Sequence, residues 1–142
     1  PSGSALVTLR TRPRSVSGRL ALAVASSPHT PARPVTSGST QGSIGAVTRG
    51  VYDVDATKLP ALPSANDEAR AVISAFGQSR STILVDVSAT EQAVKREPLH
   101  EYAVVHFAAH GIVSTKFPAR SALFLQPGGE DDGLLQAREI LR

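Results

Sequence analysis

The chain has 142 residues, of which 41% are hydrophobic and 4% aromatic, with no Trp, Met or Cys. This length is typical of a single domain, and the lack of cysteine excludes disulfides and thiolate metal sites. The net charge of +3 is uneven, because residues 1–50 carry six arginines and no acidic residue, whereas residues 51–142 carry a net charge of −3.

The arginine-rich first part does not have the pattern of a nucleic-acid interface. Arg10, Arg12 and Arg14 alternate with Thr11 and Pro13 and have no aromatic residue nearby. A nucleic-acid footprint instead clusters basic residues on one face, beside aromatic residues or a known motif. We therefore expect a solvated extended segment and no nucleic-acid partner.

No run approaches the roughly 20 apolar residues of a membrane span, and no signal peptide pattern opens the chain. We therefore expect no membrane partner and a cytoplasmic location.

Two strands and a long loop are predicted in the first 50 residues. The strands cover residues 5–10 (ALVTLR), within an extended lead-in over residues 1–18, and residues 19–26 (RLALAVAS). The second strand is nearly all apolar, as expected when both of its faces are covered. Residues 27 to about 50 are rich in Ser, Thr, Pro and Gly, which predicts a flexible insertion. This insertion follows the strand at residues 19–26 on the expected side of the site, so it could be a lid or have no role.

Two helices are predicted downstream. The first begins at Ser64, which forms a capping box with Asp67, and ends at Gly77. Its apolar face has helical spacing and consists of Ala65, Ala69, Val72, Ile73 and Phe76. A second S-x-x-E capping box, Ser88 with Glu91, begins the next helix, which Pro98 ends.

Strands alternate with these helices. They are predicted at residues 81–88 (STILVDVS), 102–111 (YAVVHFAAHG) and 121–125, the last followed by a turn and an acidic loop. Residues 134–140 (LLQAREI) are predicted to start another helix. This order predicts an α/β fold with a mostly parallel sheet and right-handed crossovers. In such sheets, functional sites lie at the carboxyl ends of the strands.

The two histidines of the 102–111 strand are expected to differ in role. Four residues span about 13 Å along a strand, so His106 and His110 cannot share one metal ion, and no metal or cofactor is predicted. His106 lies inside the strand and is expected to be a buried neutral imidazole with its hydrogen bonds satisfied. His110 lies at the carboxyl end, which suits a general acid/base. Gly111 follows it and permits a sharp turn and a close backbone approach.

Four segments, and the order in which they occur along the chain, resemble the CHAT domain family, the caspase-like domains associated with tetratricopeptide repeats. AVVHFAAHG resembles the family's H-x-A-[ST]-H-G segment, and SATEQAVKRE resembles its A-T-x-x-x-h-k helix. LPALPSANDEARAVISAFG resembles its L-P-x-A-x-x-E helix, and SALFLQPGGEDDGLLQAREI resembles its S-x-L-x-L segment followed by L-x-A-x-E-I. The likeness covers roughly residues 58–142 and extends more weakly to about residue 20.

The resemblance implies a three-layer caspase-like α/β fold, with a mostly parallel sheet and helices on both faces, over residues 19–142. It also implies a cysteine endopeptidase dyad in which His110 gives a proton to the leaving amine. The backbone N–H of Gly111 would then be an oxyanion-hole donor. Ala109 departs from the family pattern, which has Ser or Thr there. The implied partners are a protein or peptide substrate and, in the parent chain, tetratricopeptide repeats.

The family's nucleophilic cysteine lies in an S-A-C-x-[TS] segment beyond the L-x-A-x-E-I helix. This sequence stops at Arg142 inside that helix, so we expect an incomplete domain, truncated before the nucleophile strand and inactive alone. Ser114 and Thr115 have no motif support as substitutes. The alternative is a non-catalytic caspase-like scaffold for protein interaction. A nucleotide-binding domain ranks last, because neither glycine-rich phosphate motif is present.

Acidic residues near the expected site have both a functional and a structural interpretation. Asp86 and the cluster of Glu130, Asp131 and Asp132 could attract basic substrates. A helix cap for Asp86 and a solvated turn for the cluster are the simpler interpretations.

Overall fold

The computed structural model describes residues 18–27 and 59–140. The strand predicted at residues 5–10 lies outside these ranges. So do the lead-in up to residue 17 and nearly all of the insertion predicted at about 27–50.

Strands and helices alternate along the described chain. They are β1 (Ala21–Ala25), α1 (Ala65–Phe76), β2 (Ser81–Val85), α2 (Glu91–Arg96), β3 (Val104–Ala108), β4 (His110–Ile112), β5 (Ala122–Phe124), β6 (Leu134–Gln136) and α3 (Ala137–Ile140). Short 3-10 helices cover Gln78–Arg80, Asp86–Ser88, Leu99–Glu101 and Pro118–Arg120. None of the helices in these two ranges is both long enough and apolar enough to cross a membrane.

A parallel sheet of β2, β1 and β3, in that order, forms the centre of the fold. Its middle strand, β1, pairs in register with both neighbours, so that Ala23 lies opposite Ile83 on one side and His106 on the other. All five β1 residues are fully buried. The predicted α/β class with a parallel sheet is therefore confirmed.

The two faces of β1 enter different hydrophobic clusters, because successive strand residues point to opposite faces of a sheet. Ala21, Ala23 and Ala25 pack with three residues of α1, namely Ala65, Ala69 and Ile73. Leu22 and Val24 pack in the second cluster with Ala89, Val94, Leu125 and Leu135. Burial on both faces explains why this strand is apolar throughout.

A second sheet, antiparallel and ordered β4, β5, β6, follows β3. The single strand predicted at residues 102–111 is therefore wrong in its last part, because the chain leaves the parallel sheet at Ala109. His110 then pairs with Phe124 of β5.

The helix predicted to start at Leu134 is also wrong, since α3 begins at Ala137. Leu134 and Leu135 are each 1% exposed but belong to different clusters, one beside Ile112 and the other beside Leu22. Consecutive residues can enter opposite cores only in strand geometry.

Helix α1 begins without the predicted capping box. The α-helical backbone of Ser64 leaves its side chain without a capping hydrogen bond, and its carbonyl accepts the first helical bond, from the N–H of Glu68 at 2.9 Å. The helix ends as predicted at Gly77, whose φ of 90° suits glycine and whose N–H donates to the carbonyl of Ile73.

The capping box predicted for α2 is also wrong. Thr90, not Ser88, caps this helix, and its hydroxyl accepts the N–H of Ala93 at 3.0 Å. The Ser88 hydroxyl instead bonds to the N–H and the carbonyl of Val85. Glu91 turns inward, and its Oε2 accepts the N–H of Gly133 at 2.8 Å.

The acidic loop is joined to α2 and α3 by one lysine. Nζ of Lys95 lies 2.9 Å from both Asp131 and Glu139, in addition to its contact with Glu91. Oδ1 of Asp132 accepts the N–H of Leu134 at 2.9 Å. Glu130 and Asp132 are exposed at a turn, as the simpler interpretation predicted, and Asp131 and Asp132 in addition have structural contacts.

The amino end of the parallel sheet is closed by polar contacts around Tyr102. Its hydroxyl bonds to Arg19, to Thr82 and to a carboxylate oxygen of Glu97. The Arg19 guanidinium also lies 5.3 Å from the centre of the Tyr102 ring. The hydrogen bond and the phenolic oxygen of Tyr102 raise the pKa of Arg19, and so do the Glu97 and Glu101 carboxylates, despite the opposing effect of burial. This closure leaves the carboxyl end as the edge at which a site is expected.

Candidate functional site

Three polar residues follow the three parallel strands at their carboxyl ends. Ser27 comes two residues after β1, Asp86 directly after β2 and His110 two residues after β3. Since neighbouring parallel strands end at the same edge of a sheet, these residues belong to one edge.

A single segment, residues 59–66, contacts all three of them, and we call it the strap. The Leu62 N–H donates to Oγ of Ser27 at 3.2 Å, and Nδ2 of Asn66 donates to Oδ1 of Asp86 at 2.7 Å. The carbonyl oxygen of Pro60 lies 2.8 Å from Nε2 of His110. The strap therefore runs across the carboxyl edge and touches the end of each strand.

The contact with Pro60 determines which nitrogen of His110 carries a proton. A carbonyl oxygen can only accept a hydrogen bond, so Nε2 is the donor. In the neutral imidazole the lone pair then lies on Nδ1. His110 is half-buried, and its ring is oriented by main chain. This arrangement can carry out proton transfer through Nδ1.

Gly111 is exposed, and no described atom lies within 4 Å of the position that a Cβ would occupy. Its φ is not in the left-handed region, so the sharp turn that glycine permits is not formed there. Gly111 instead continues β4 opposite Leu123. Neither backbone conformation nor packing among the described residues requires glycine at this position. The open space above it can receive a ligand.

His106 is buried, as expected, at 6% exposure on the α1 side of β3. The expectation that its hydrogen bonds are satisfied is wrong within the described chain, where both ring nitrogens lack a hydrogen bond. Nε2 lies 3.1 Å from Oε1 of Glu68, but the two groups are not aligned as donor and acceptor. His106 and His110 therefore have different surroundings, and the strap contact belongs to His110 alone of the two.

The remaining candidates lie apart from this arrangement. Ser114 is 3% exposed, and its Oγ accepts the N–H of Phe117 at 3.1 Å. The predicted helix cap at Asp86 is wrong, because the residue begins a 3-10 helix with a φ of 53° and its carboxylate accepts from Asn66. Residues 18–27 and 59–140 contain no group of three or more His, Asp or Glu side chains that could hold a metal ion.

A cavity of about 550 Å³ lies between the end of α2 and α3, and its lining includes neither His110 nor Gly111. Its walls are formed by Val94, Lys95, Arg96, Glu97, Pro98, Leu99, His100, Leu135, Glu139 and Ile140. This cavity is therefore separate from the carboxyl edge.

Sequence reasoning missed two contributors to the site, Pro60 and Ser27. Both contact residues that are far away in the sequence. Pro60 and His110 are 50 residues apart, and Ser27 and Leu62 are 35 residues apart. The pair of prolines before α1 was a usable signal, because Pro60 and Pro63 fix an extended backbone there. Nothing in the spacing indicated which side chain their carbonyls would meet.

Comparison with known proteins identifies the family of this chain. The CHAT domain model matches residues 1–142. No curated protein and no solved structure matches the chain. The family match spans the whole sequence, including the parallel sheet and the H-x-A-x-H-G segment of β3 and β4. The chain belongs to the CHAT domain family, whose members have caspase-like, peptidase-type domains.

Proposed function

We propose that this chain is the amino-terminal part of a CHAT-type cysteine endopeptidase domain, in which His110 is the general acid and Gly111 an oxyanion-hole donor. The observation that carries the proposal is the hydrogen bond between Nε2 of His110 and the carbonyl of Pro60. A ring held in this way presents Nδ1 in a fixed direction, and positioning is what proton transfer requires.

The nucleophile would come from a further strand. Within the described residues, β3 is an edge strand of the parallel sheet, paired with β1 on one side. A following strand added to its other edge would end beside His110 and would complete a three-layer caspase-like fold. The cysteine that the family has at the end of that strand would supply the thiolate, since none of the 142 residues is cysteine.

The chemistry divides into two steps. The thiolate attacks the scissile carbonyl carbon, and the N–H of Gly111 stabilises the negative charge that develops on the oxygen. The C–N bond then breaks as the charged His110 gives its Nδ1 proton to the leaving amine. The other proton stays on Nε2 and is donated to the Pro60 carbonyl throughout. Water next attacks the thioester and gives a proton to Nδ1, so that the C–S bond breaks, the acid product leaves, and the thiolate and the charged His110 are restored. The substrate is a protein or peptide, and the parent chain would act in the cytoplasm under the control of tetratricopeptide repeats.

The test is peptide cleavage by the parent protein with single histidine substitutions. His110→Ala is expected to lower kcat/KM by about 10²–10⁴-fold, the usual contribution of a general acid. His100→Ala is the matched control, because His100 is exposed at the opposite, amino end of β3 and its loss should leave cleavage unchanged. Retained cleavage by a folded His110 variant would contradict the proposal.

A non-catalytic scaffold is the second candidate, and the observation that favours it is Ala109, which stands next to His110 where the family pattern has Ser or Thr. The residue at the end of the next strand of the parent chain separates the two functions. Cysteine there supports the peptidase, and any other residue supports the scaffold.

A further inference from the structure

The strap has few means of fixing its own backbone. Pro60 and Pro63 have no N–H, so between residues 60 and 63 only Ala61 and Leu62 can donate a main-chain hydrogen bond. The Leu62 N–H donates to the hydroxyl of Ser27. Among the described residues, this is the hydrogen bond that joins the N–H groups of residues 60–63 to the sheet.

Apolar contacts hold the strap in place but do not orient it. Leu59 packs against the Ile112 cluster, and Leu62 packs against the cluster of β1 and α1. Such contacts are non-directional and do not by themselves set the direction of the Pro60 carbonyl, and the bond from Asn66 to Asp86 lies six residues further along the strap. A hydrogen bond is directional, and the bond from Leu62 to Ser27 lies two residues from the Pro60 carbonyl. It therefore fixes the direction in which that carbonyl points.

Ser27 itself has a rigid base. The N–H of Ser26 donates to the carbonyl of Ala108 at 3.1 Å, which extends the pairing of β1 with β3 beyond the end of β1. The carbonyl of Ser27 accepts Nε2 of Gln126 at 3.2 Å, from a side chain that is 8% exposed. Both of these bonds use main-chain groups of Ser26 and Ser27, so removing the Ser27 hydroxyl leaves them intact.

We propose that Ser27 is a positioning residue for His110, because its hydroxyl orients the strap so that the Pro60 carbonyl holds the Nε2–H form of the imidazole. An effect of Ser27 on catalysis rests on the proposed function, since the orientation of Nδ1 affects the reaction only if His110 transfers a proton. The arrangement itself is a property of this chain and is measurable without any cleavage.

The experiment measures the His110 tautomer by ¹⁵N NMR of the 142-residue chain, labelled at its four histidines, with His110→Gln used to assign the resonance. Wild type should show a protonated Nε2 and an unprotonated Nδ1 at a pH where the ring is neutral. Ser27→Ala should lower the ratio of the Nε2–H to the Nδ1–H form by roughly two- to tenfold, the effect of one lost hydrogen bond. Ser27→Thr retains a hydroxyl and should restore the wild-type ratio.

Ser26→Ala is the matched control. Ser26 is the residue before Ser27, and its buried hydroxyl has no hydrogen-bond partner among the described residues. Its removal should therefore leave the tautomer of His110 unchanged. An unchanged ratio in Ser27→Ala, or an equal shift in Ser26→Ala, overturns the proposal. If Ser27→Ala does not fold, a wild-type ratio in Ser27→Thr supports the proposal and an altered ratio overturns it.

Cleavage by the parent protein separates this proposal from the proposed function. A tautomer shift in Ser27→Ala together with full activity of His110→Ala supports the positioning and refutes the peptidase role. An unchanged tautomer together with loss of cleavage in His110→Ala refutes the positioning and supports the peptidase role.

Discussion

The ammonium nitrogen of Lys95 lies 2.6 Å from Oε1 of Glu91, a residue that is only 2% exposed. The same carboxylate accepts the N–H of Gly133 through its other oxygen. Burial raises the pKa of Glu91, although Lys95 and Gly133 act in the opposite direction. The lysine therefore compensates a charge that the fold has largely removed from water.

Lys95→Met should destabilise the fold by about 3 kcal/mol, because it leaves Glu91 as a buried carboxylate without its cation. The free energy of unfolding measured by urea titration checks this expectation. The double variant Lys95→Met with Glu91→Gln should be more stable than Lys95→Met alone, since the unpaired charge is gone.

Lys116→Met is the matched control for this lysine. Lys116 is exposed in the loop after β4, and its loss should change the free energy of unfolding by less than about 0.5 kcal/mol. Equal effects of the two lysine substitutions would show that Glu91 does not need Lys95.

Glu139 and Glu91 should shift the acid stability of the fold in opposite directions. Burial alone would raise the pKa of Glu139, but the Gln136 N–H and the Lys95 ammonium lower it below 4.5. A lowered pKa means that the ionised group stabilises the fold, and this contribution is lost as the pH falls through the folded-state value. The raised pKa of Glu91 has the opposite sign, so its contribution is full below 4.5 and is lost as the pH rises through the folded-state value.

Melting temperatures measured between about pH 6 and pH 3 separate the two residues. On acidification, Glu139→Gln should lose less stability than wild type, because it lacks a stabilising charge to neutralise. Glu91→Gln should lose more, because wild type gains when Glu91 takes up a proton. Parallel curves for the two variants would contradict the assignment of opposite shifts.

Two glycines should respond differently to alanine. Gly133 has a φ of 88°, and a Cβ there would lie 2.7 Å from the carbonyl oxygen of Leu125. Gly133→Ala should therefore cost at least about 2 kcal/mol. Gly111→Ala meets no described atom and no backbone strain, so the fold should be unchanged or up to about 1 kcal/mol more stable.

Thermal unfolding of the two glycine variants checks the difference in stability. If Gly111 is the oxyanion-hole donor that we propose, Gly111→Ala in the parent protein should slow peptide cleavage even though the fold is intact, because the added methyl group would occupy the space of the substrate carbonyl. Unimpaired cleavage would show that this space is not used.

His106 offers a test of an unpaired buried imidazole. His106→Ala should destabilise by about 2 kcal/mol or more, through the cavity it leaves in β3. His106→Leu keeps most of the volume and removes two ring nitrogens that lack hydrogen bonds, so it should lie within about 1 kcal/mol of wild type or be more stable. Chemical denaturation of both variants measures the difference.

A large loss of stability in His106→Leu would contradict this expectation and would mean that the nearby Glu68 carboxylate forms a favourable pair with the imidazole. Glu68→Gln would then reproduce the loss. If the pair is weak, as its misaligned geometry indicates, Glu68→Gln should have an effect below about 0.5 kcal/mol.

The elements that sequence predicted correctly are those whose pattern is local. The apolar spacing of α1, its terminal Gly77 and the continuous apolar run of β1 all follow from a few adjacent residues. The error at Leu134 arose where a distant contact decided the structure, because this residue joined a strand and fills a core beside Ile112, 22 positions away. The error at Ser88 was local, because its hydroxyl bonds to Val85, three residues earlier, and Thr90 caps α2 instead.

The candidate site shows the same division. His110 and Gly111 could be named as candidates because their motif is contiguous, and the expected edge of the sheet followed from the order of strands and helices. Pro60 and Ser27 could not be found in this way, because each meets its partner only after β1, α1 and β3 have assembled. Contacts between residues that are far apart in the sequence produce no local motif or periodicity from which a single sequence could predict them.

The central position of β1 has a consequence for synthesis on the ribosome. β1 is the first described strand to be made, yet both of its neighbours, β2 and β3, come later in the chain. At typical rates of about 5–20 residues per second, roughly 4 to 17 seconds separate the end of β1 from the end of β3. During that interval the five apolar residues that are fully buried in the finished fold have an unpaired edge. The nascent chain therefore exposes an apolar strand until β2 and β3 have both been made and have paired with it.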